Sequence, residues 1–251
     1  MRYVLKIAYD GTHFAGWQRQ KNAVSVQEVL EEAVKAALGV EVKTTASGRT
    51  DAGVHAAGQV CHFDAELSVP PEKMPDCLNR YLPDSVRVLD GFGADESFDS
   101  NRSAKRKTYC YTLYESAREM PLLERFAVRV ETLACKEKLK AVASLMEGEH
   151  DFKAFCASGS SVITTVRTVY EVRIEEGERY GCRVVKIFVT GNGFLYNMVR
   201  TMVGELLDLS QEKRTKESLL AAFETGRREL LGKTMPAKGL TLMQVVYGVD
   251  G

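Results

Sequence analysis

No stretch of this 251-residue chain approaches the roughly 20 consecutive apolar residues that a membrane-crossing helix needs. The opening run MRYVLKIAYDG lacks the apolar segment and small-residue cleavage site of a secretory signal, so a cytoplasmic setting is expected. Cysteine is sparse and scattered. The six at 61, 77, 110, 135, 156 and 182 form no C-x-x-C pair, which argues against a zinc ribbon or thioredoxin-like site. In a reducing compartment most are expected to be buried free thiols. G-x-S-x-G and the phosphate-cradling P-loop are missing too. Gly191-Asn192-Gly193 begins a dinucleotide fingerprint, but its third glycine position holds Tyr196, so that reading fails. No excess of either charge exists: 34 Lys and Arg balance 34 Asp and Glu. Bulk composition therefore gives no support to a nucleic-acid partner.

The distribution of charge says more. Residues 1–100 hold 10 Lys and Arg against 15 Asp and Glu, and residues 101–251 hold 24 against 19. Within 101–107 lie Arg102, Lys105, Arg106 and Lys107. A local basic patch can bind phosphates on a neutral protein, because salt screens distant charges most. A solvated strand edge is the blander explanation.

Helical and strand periodicities interleave along the chain. Alternation predicts strands at 3–9, 40–46, 59–63, 86–89, 108–114, 166–174, 184–189 and 242–249, with a hairpin about 177–181. Ser25 to Glu28 has capping-box spacing ahead of an apolar stripe that Gly39 ends. Pro71 opens a short helix, and further helices are expected at 136–146 and 216–225. The strongest helical stripe is expected over 194–209, from Phe194 and Leu195 to Leu207. These patterns predict an α+β chain with two similar α/β halves, 1–100 and 101–251, sharing a continuous mixed, largely antiparallel sheet.

SGRTDAGVHA at 47–56 is the most informative segment. Gly48 and Gly53 permit a tight loop that presents Asp51, and Arg49 supplies a cation able to keep it ionised. A surface turn in which Asp51 caps its own backbone explains the residues about equally well. Asp51, His55, His62 and Asp64 also offer oxygen and nitrogen donors, raising a rival reading as a metal-dependent hydrolase. That reading is weak, because the first pair lies in a loop and the second must fold back onto it. No metal is expected. Gly16 to Gln20 places the single Trp17 beside Arg19, either buried against the first helix or on an RNA-facing rim. Tyr109 and Tyr111 suit base stacking or a core equally.

Six segments, in this order, resemble the tRNA pseudouridine synthase A family: YDGTHFAGWQRQ at 9–20, SGRTDAGVHA at 47–56, KTYCY at 107–111, EGEHDFKAF at 147–155, GNGFLYNMVRTMVG at 191–204 and PAKGLTLMQVVY at 236–247. The resemblance spans nearly the whole chain. It implies a pseudouridine synthase fold with the active-site cleft between the halves, the first carrying the Asp loop and the second the stacking Tyr and a long helix. The implied reaction converts uridine to pseudouridine in the tRNA anticodon stem-loop, at tRNA positions 38 to 40, without cofactor or nucleotide. By the same resemblance Asp51 is the catalytic nucleophile and Arg200 its ion-pair partner. Arg49 enters the space left by the flipped base, Tyr109 stacks on the uracil, and Leu195 walls the pocket. The family works as a homodimer with tRNA across both subunits, making Arg19, Lys21, Arg102, Lys105, Arg106 and Lys107 candidate phosphate contacts. A non-catalytic RNA-binding protein is the second rival.

Overall fold

The computed structural model describes residues 1–157 and 163–248. The chain is α+β with mostly antiparallel strand pairing, and it divides into two compact units. The first comprises Met1–Lys105 together with the C-terminal segment from Thr241, and the second comprises Arg106–Leu240. From Thr241 onward the last strand therefore belongs to the first unit.

In the first unit the order is β4 (Val86–Ala94), β1 (Arg2–Tyr9), β3 (His55–Asp64) and β10 (Leu240–Val246). All neighbours are antiparallel except β10, which runs parallel to β3 with Thr241 opposite His55. Helix α1 (Val26–Leu38) starts where expected: the Ser25 Oγ accepts from the Glu28 N–H at 3.2 Å, and Gly39 ends it with φ 72°. Val26, Leu30, Ala33 and Val34 are buried on its inner face. Burying each valine or leucine contributes about 1.5–3 kcal/mol. A second short helix, α2 (Met74–Leu78), follows a 3-10 turn at Pro71–Lys73.

The predicted strand at 40–46 shrinks to β2 (Thr45–Ala46). Side chains of α1 have taken over the backbone groups that a strand would use. Gln27 donates to the Thr44 carbonyl at 3.0 Å, and the Glu31 carboxylate accepts from the Thr44 N–H at 2.8 Å. Conversely β3 begins at His55, inside the glycine-bearing motif and four residues before the predicted start.

The second unit orders its strands β5 (Arg106–Glu115), β9 (Cys182–Gly191), β8 (Val166–Arg179) and β7 (Gly148–Asp151), all antiparallel, with β6 (Val128–Val130) parallel to β5. The β8–β9 hairpin closes more tightly than 177–181 suggests. Arg179 pairs with Cys182, and Tyr180 and Gly181 both take positive φ, the twist-matching arrangement of a two-residue hairpin. Helices α3 (Lys136–Ala143), α4 (Met198–Ser210) and α5 (Lys216–Thr225) complete the unit. Phe223 of α5 stacks on Phe155 and meets Phe152 edge to face, and Phe152 and Phe155 meet edge to face, with all centroids 5.2–5.3 Å apart.

Helix α4 starts four residues later than its apolar stripe predicts. Asn197 sits in the left-handed region, φ 66°, so Phe194 and Leu195 belong to a buttressed loop instead. Apolar spacing cannot register a single backbone reversal, and Asn tolerates this one better than most residues. The predicted final strand ends at Val246; its last expected residue, 249, lies outside the described residues. The cysteines are free, but only Cys61, Cys110 and Cys182 are buried; Cys77 and Cys156 are half-buried and Cys135 is exposed. Cys135 and Cys156 flank helix ends, and Cys77 lies on the short helix α2.

Helix α4 lies so close to the segment at Lys233 that a Cβ on Gly204 would overlap the Lys233 carbonyl. Neither backbone can give way cheaply. Gly204→Ala is therefore expected to destabilise the protein by about 3 kcal/mol, at the upper end for overpacking, measured as a lower urea midpoint at unchanged m-value.

Candidate active site

The loop 47–54 is held by backbone and side-chain partners along most of its length. The Thr50 carbonyl accepts from the Trp17 N–H at 3.0 Å, and its hydroxyl shares a 2.7 Å hydrogen bond with the Tyr9 hydroxyl. Burial pushes the Tyr9 phenol up to about 12, so it stays neutral and keeps that bond throughout the physiological range. Farther along, the Gly53 N–H donates to the Phe14 carbonyl and the Val54 N–H to the Asp51 carbonyl. At the entry, Ser47 donates to the Gln59 side chain at 2.6 Å, and the Gln59 amide returns a bond to the Gly48 carbonyl at 2.8 Å. The His55 Nδ1 accepts from the Gly11 N–H at 3.0 Å, tying the loop's exit to the end of β1.

Glycine matters here at two positions. Gly53 turns the loop with φ 77°, whereas Gly48, expected to share that role, is absent from the positive-φ residues. Gly16 is the second. It takes φ 91°, and a Cβ there would overlap the Thr50 carbonyl. Trp17 is 2% exposed, so it serves as an anchor beneath the loop and not as an RNA-facing rim. Tyr9, Gly16 and Thr50 were not singled out by sequence reasoning, which had no signal that residues 41 apart share a hydrogen bond.

Asp51 emerges half-buried and Arg49 exposed. Among the described residues Arg49 makes no hydrogen bond or ion pair. The residues of the metal reading are spoken for elsewhere. His62 bonds to Ser100, Asp64 takes a two-pronged bond from Arg2 at 2.8 and 2.7 Å, and the His55 Nδ1 meets the Gly11 N–H and lies 3.2 Å from the Asp10 carboxylate. Among the described residues no three His, Cys, Asp or Glu side chains are grouped to hold a metal.

In the second unit, Tyr109 lies on β5 and is 8% exposed. Its ring meets Phe194 edge to face, 5.3 Å between centroids and 88° between planes. Leu195, next in the loop, is buried. Arg200, on the first turn of α4, is half-buried and fixed by chain carbonyl and amide oxygens. Its Nε donates to the Met235 carbonyl at 2.6 Å and one Nη to the Asn197 Oδ1 at 2.7 Å. The left-handed Asn197 that shortens the helix thus also orients the arginine. Lys107, two residues before Tyr109 on the same strand face, is pressed down to about 8 by burial and then by the Arg167 charge.

The candidate RNA contacts differ in setting. Arg102, Lys105 and Lys21 are exposed, and Arg106 lies over the Tyr170 ring at 5.1 Å. Arg19 pairs with Glu31 at 3.4 Å beside a recess of about 570 Å³ that Glu32 and Glu41 also line, an acidic setting for a phosphate contact.

The tRNA pseudouridine synthase family profile matches residues 6–92 and 142–248. The chain belongs to this family. A protein called tRNA pseudouridine synthase A from Syntrophotalea carbinolica is 42% identical over 243 residues, covering 97% of this chain and 95% of its own. One of the same name from Thermoanaerobacter pseudethanolicus is 40% identical over 244 residues, covering 97% and 98%. A third, from Acetivibrio thermocellus, is 39% identical over 243 residues, covering 97% and 98%.

Lys107 is expected to carry its proton below about pH 8 and lose it above, well under the ordinary 10.5. A lysine depressed in the folded state gains stability as pH rises from about 8 to 10.5, because the unfolded chain still binds the proton there. The urea-stability difference between wild type and Lys107→Met should therefore change in the wild type's favour across that window. A flat difference contradicts it.

Proposed function

We propose that this protein isomerises uridine to pseudouridine in tRNA, within the anticodon stem-loop at tRNA positions 38 to 40. The observation that carries the reading is the family match over most of the chain, coinciding with a loop built to hold one half-buried carboxylate at Asp51.

The reaction exchanges one bond for another. The N1–C1′ glycosidic bond breaks, the uracil turns, C5 joins C1′, and the C5 proton is replaced by one on N1. Atoms and electrons balance within the nucleotide, so a carboxylate suffices as the covalent or proton-accepting partner. Asp51 takes that role. In an RNA-filled site its charge needs a cation close by, and Arg200 is assigned to it. The carbonyl and amide bonds that fix Arg200 support this, because a pre-oriented guanidinium loses little entropy on pairing. Tyr109 stacks on the uracil with its plane set by Phe194, and Leu195 supplies the apolar wall.

A uridine stacked in a stem-loop must leave its helix first, at a cost of a few kcal/mol. Arg49 is assigned to occupy the vacated space. Its exposure and lack of partners among the described residues suit that role, since no interaction need be broken to extend it. Arg19, Lys21, Arg102, Lys105, Arg106 and Lys107 are proposed to contact phosphates. A homodimer lets two local basic patches line one groove, and a cytoplasmic location matches the substrate. No helix among the described residues is long and apolar enough to cross a membrane.

Asp51→Asn is expected to bind an unmodified tRNA transcript with wild-type affinity while its single-turnover rate falls by more than about 10³-fold. Product formed near the wild-type rate excludes Asp51 from the chemistry. Arg49→Ala should slow a fluorescence signal from base extrusion, and Tyr109→Leu should lose activity that Tyr109→Phe largely keeps. Full activity in Tyr109→Leu removes the stacking assignment. Gly16→Ala should lower both activity and stability, the latter by about 1–3 kcal/mol from strain and overlap at Thr50; unchanged activity breaks the link between that anchor and the loop.

A further inference from the structure

Arg167 is a half-buried cation for which the reaction as described has no use. It stands at the start of β8, where three strand ends of the second unit meet. The register places both Lys107 of β5 and Val169 of β8 opposite Gly191 of β9. Asn192 then locks the loop to β8 twice: its N–H donates to the Thr168 carbonyl, and its Oδ1 accepts from the Thr168 N–H, each at 3.0 Å. Across that locked loop runs the Arg167 side chain. The Cβ position of Gly193 lies 3.7 Å from its Nε, so a larger residue there would crowd the guanidinium.

One Nη of Arg167 is fixed by the carbonyls of Thr164 and Val166 at 2.9 and 2.7 Å. Among the described residues no carboxylate pairs with Arg167, and the rest of its donor fork receives no protein acceptor. Burial lowers its affinity for a proton, and Lys107 feels its charge as a repulsion. A half-buried guanidinium with one edge unmatched costs free energy unless an anion offsets its charge. A guanidinium fork with a fixed edge and an open edge matches the two oxygens of a phosphodiester. The loop that Arg167 crosses continues directly into Phe194 and Leu195, beside Tyr109.

We infer that Arg167 grips the backbone phosphate next to the target uridine, fixing the register of the RNA strand while the base is out of its stack. This rests on the proposed reaction for the identity of the RNA and adds to it the residue that positions the strand. Arg167 is a positioning residue here; it holds the sugar-phosphate and leaves the bond exchange to the carboxylate.

The test uses the full-length protein, an unmodified anticodon stem-loop transcript, and a set of the same RNA carrying one methylphosphonate at each backbone position. Arg167→Ala should weaken binding about tenfold near physiological salt and reduce the slope of log affinity against log salt by about 0.9, the loss of one phosphate contact. Arg167→Lys keeps the charge without the fork, so the slope should return while affinity recovers only in part. For the wild type, one methylphosphonate adjacent to the target uridine should cost about as much as Arg167→Ala, and the variant should be indifferent to it. An unchanged salt slope in Arg167→Ala overturns the inference. So does equal sensitivity of wild type and variant to every methylphosphonate, or absence of binding by the wild type. If Arg167→Ala does not fold, Arg167→Gln carries the same comparison. Wild-type protein that shows the phosphate coupling but makes no pseudouridine refutes the proposed reaction and leaves this assignment intact; pseudouridine without the coupling refutes only the assignment.

Discussion

Thr50 joins the loop that presents Asp51 to the body of its unit by two bonds from one residue. Its carbonyl is held by the Trp17 N–H and its hydroxyl by Tyr9, both partners buried. A neutral hydrogen bond contributes only about 1 kcal/mol net, but leaving a buried partner unmatched costs more. The arrangement therefore acts mainly by penalising alternatives. Asp51 is the next residue in the chain, and its position follows from where Thr50 is pinned. Gly16 makes the approach feasible, since any side chain there would fill the space the Thr50 carbonyl occupies.

The second unit uses the same logic with different parts. The left-handed Asn197 ends a loop, caps nothing with its side chain toward the helix amides, and instead accepts from Arg200. Asn192 staples the other end of that loop to β8. Between the two lie Phe194 and Leu195, and against Phe194 stands Tyr109. Rigid strands and one long buried helix hold these loops, so side chains on irregular segments acquire fixed positions without being part of the regular core. Amide side chains serve well for this. Each offers both a donor and an acceptor to backbone groups that a loop otherwise leaves unmatched.

Much of the fold was legible because it depends on local periodicity. The helix at Ser25 to Gly39 announced both of its ends with a hydroxyl cap and a left-handed glycine, and β5, β9 and α5 were marked by alternation or helical spacing. Errors fell where a distant side chain replaced a local partner. Residues 40–44 alternate like a strand, yet Gln27 and Glu31 satisfy the backbone at Thr44 before another strand can. Phe194 and Leu195 continue the stripe of α4 in sequence but are separated from it by one backbone reversal. Arg49 and Asp51 look like a pair when read as neighbours, whereas the turn sends one to solvent and the other partly inward.

By itself the sequence determined the class of chain, its family and the segment proposed to carry the reaction. Those follow from residue types in a fixed order, which folding does not alter. Tertiary structure decided how that segment is supported, that Trp17 lies beneath it, and that Arg167 of β8 and Lys107 of β5 come to the same end of the sheet on either side of β9. Each of these depends on residues tens of positions apart meeting through strand register or a side-chain bond to the main chain. Spacing along the chain carries no record of such meetings; they appear only once buried backbone groups have been matched in three dimensions.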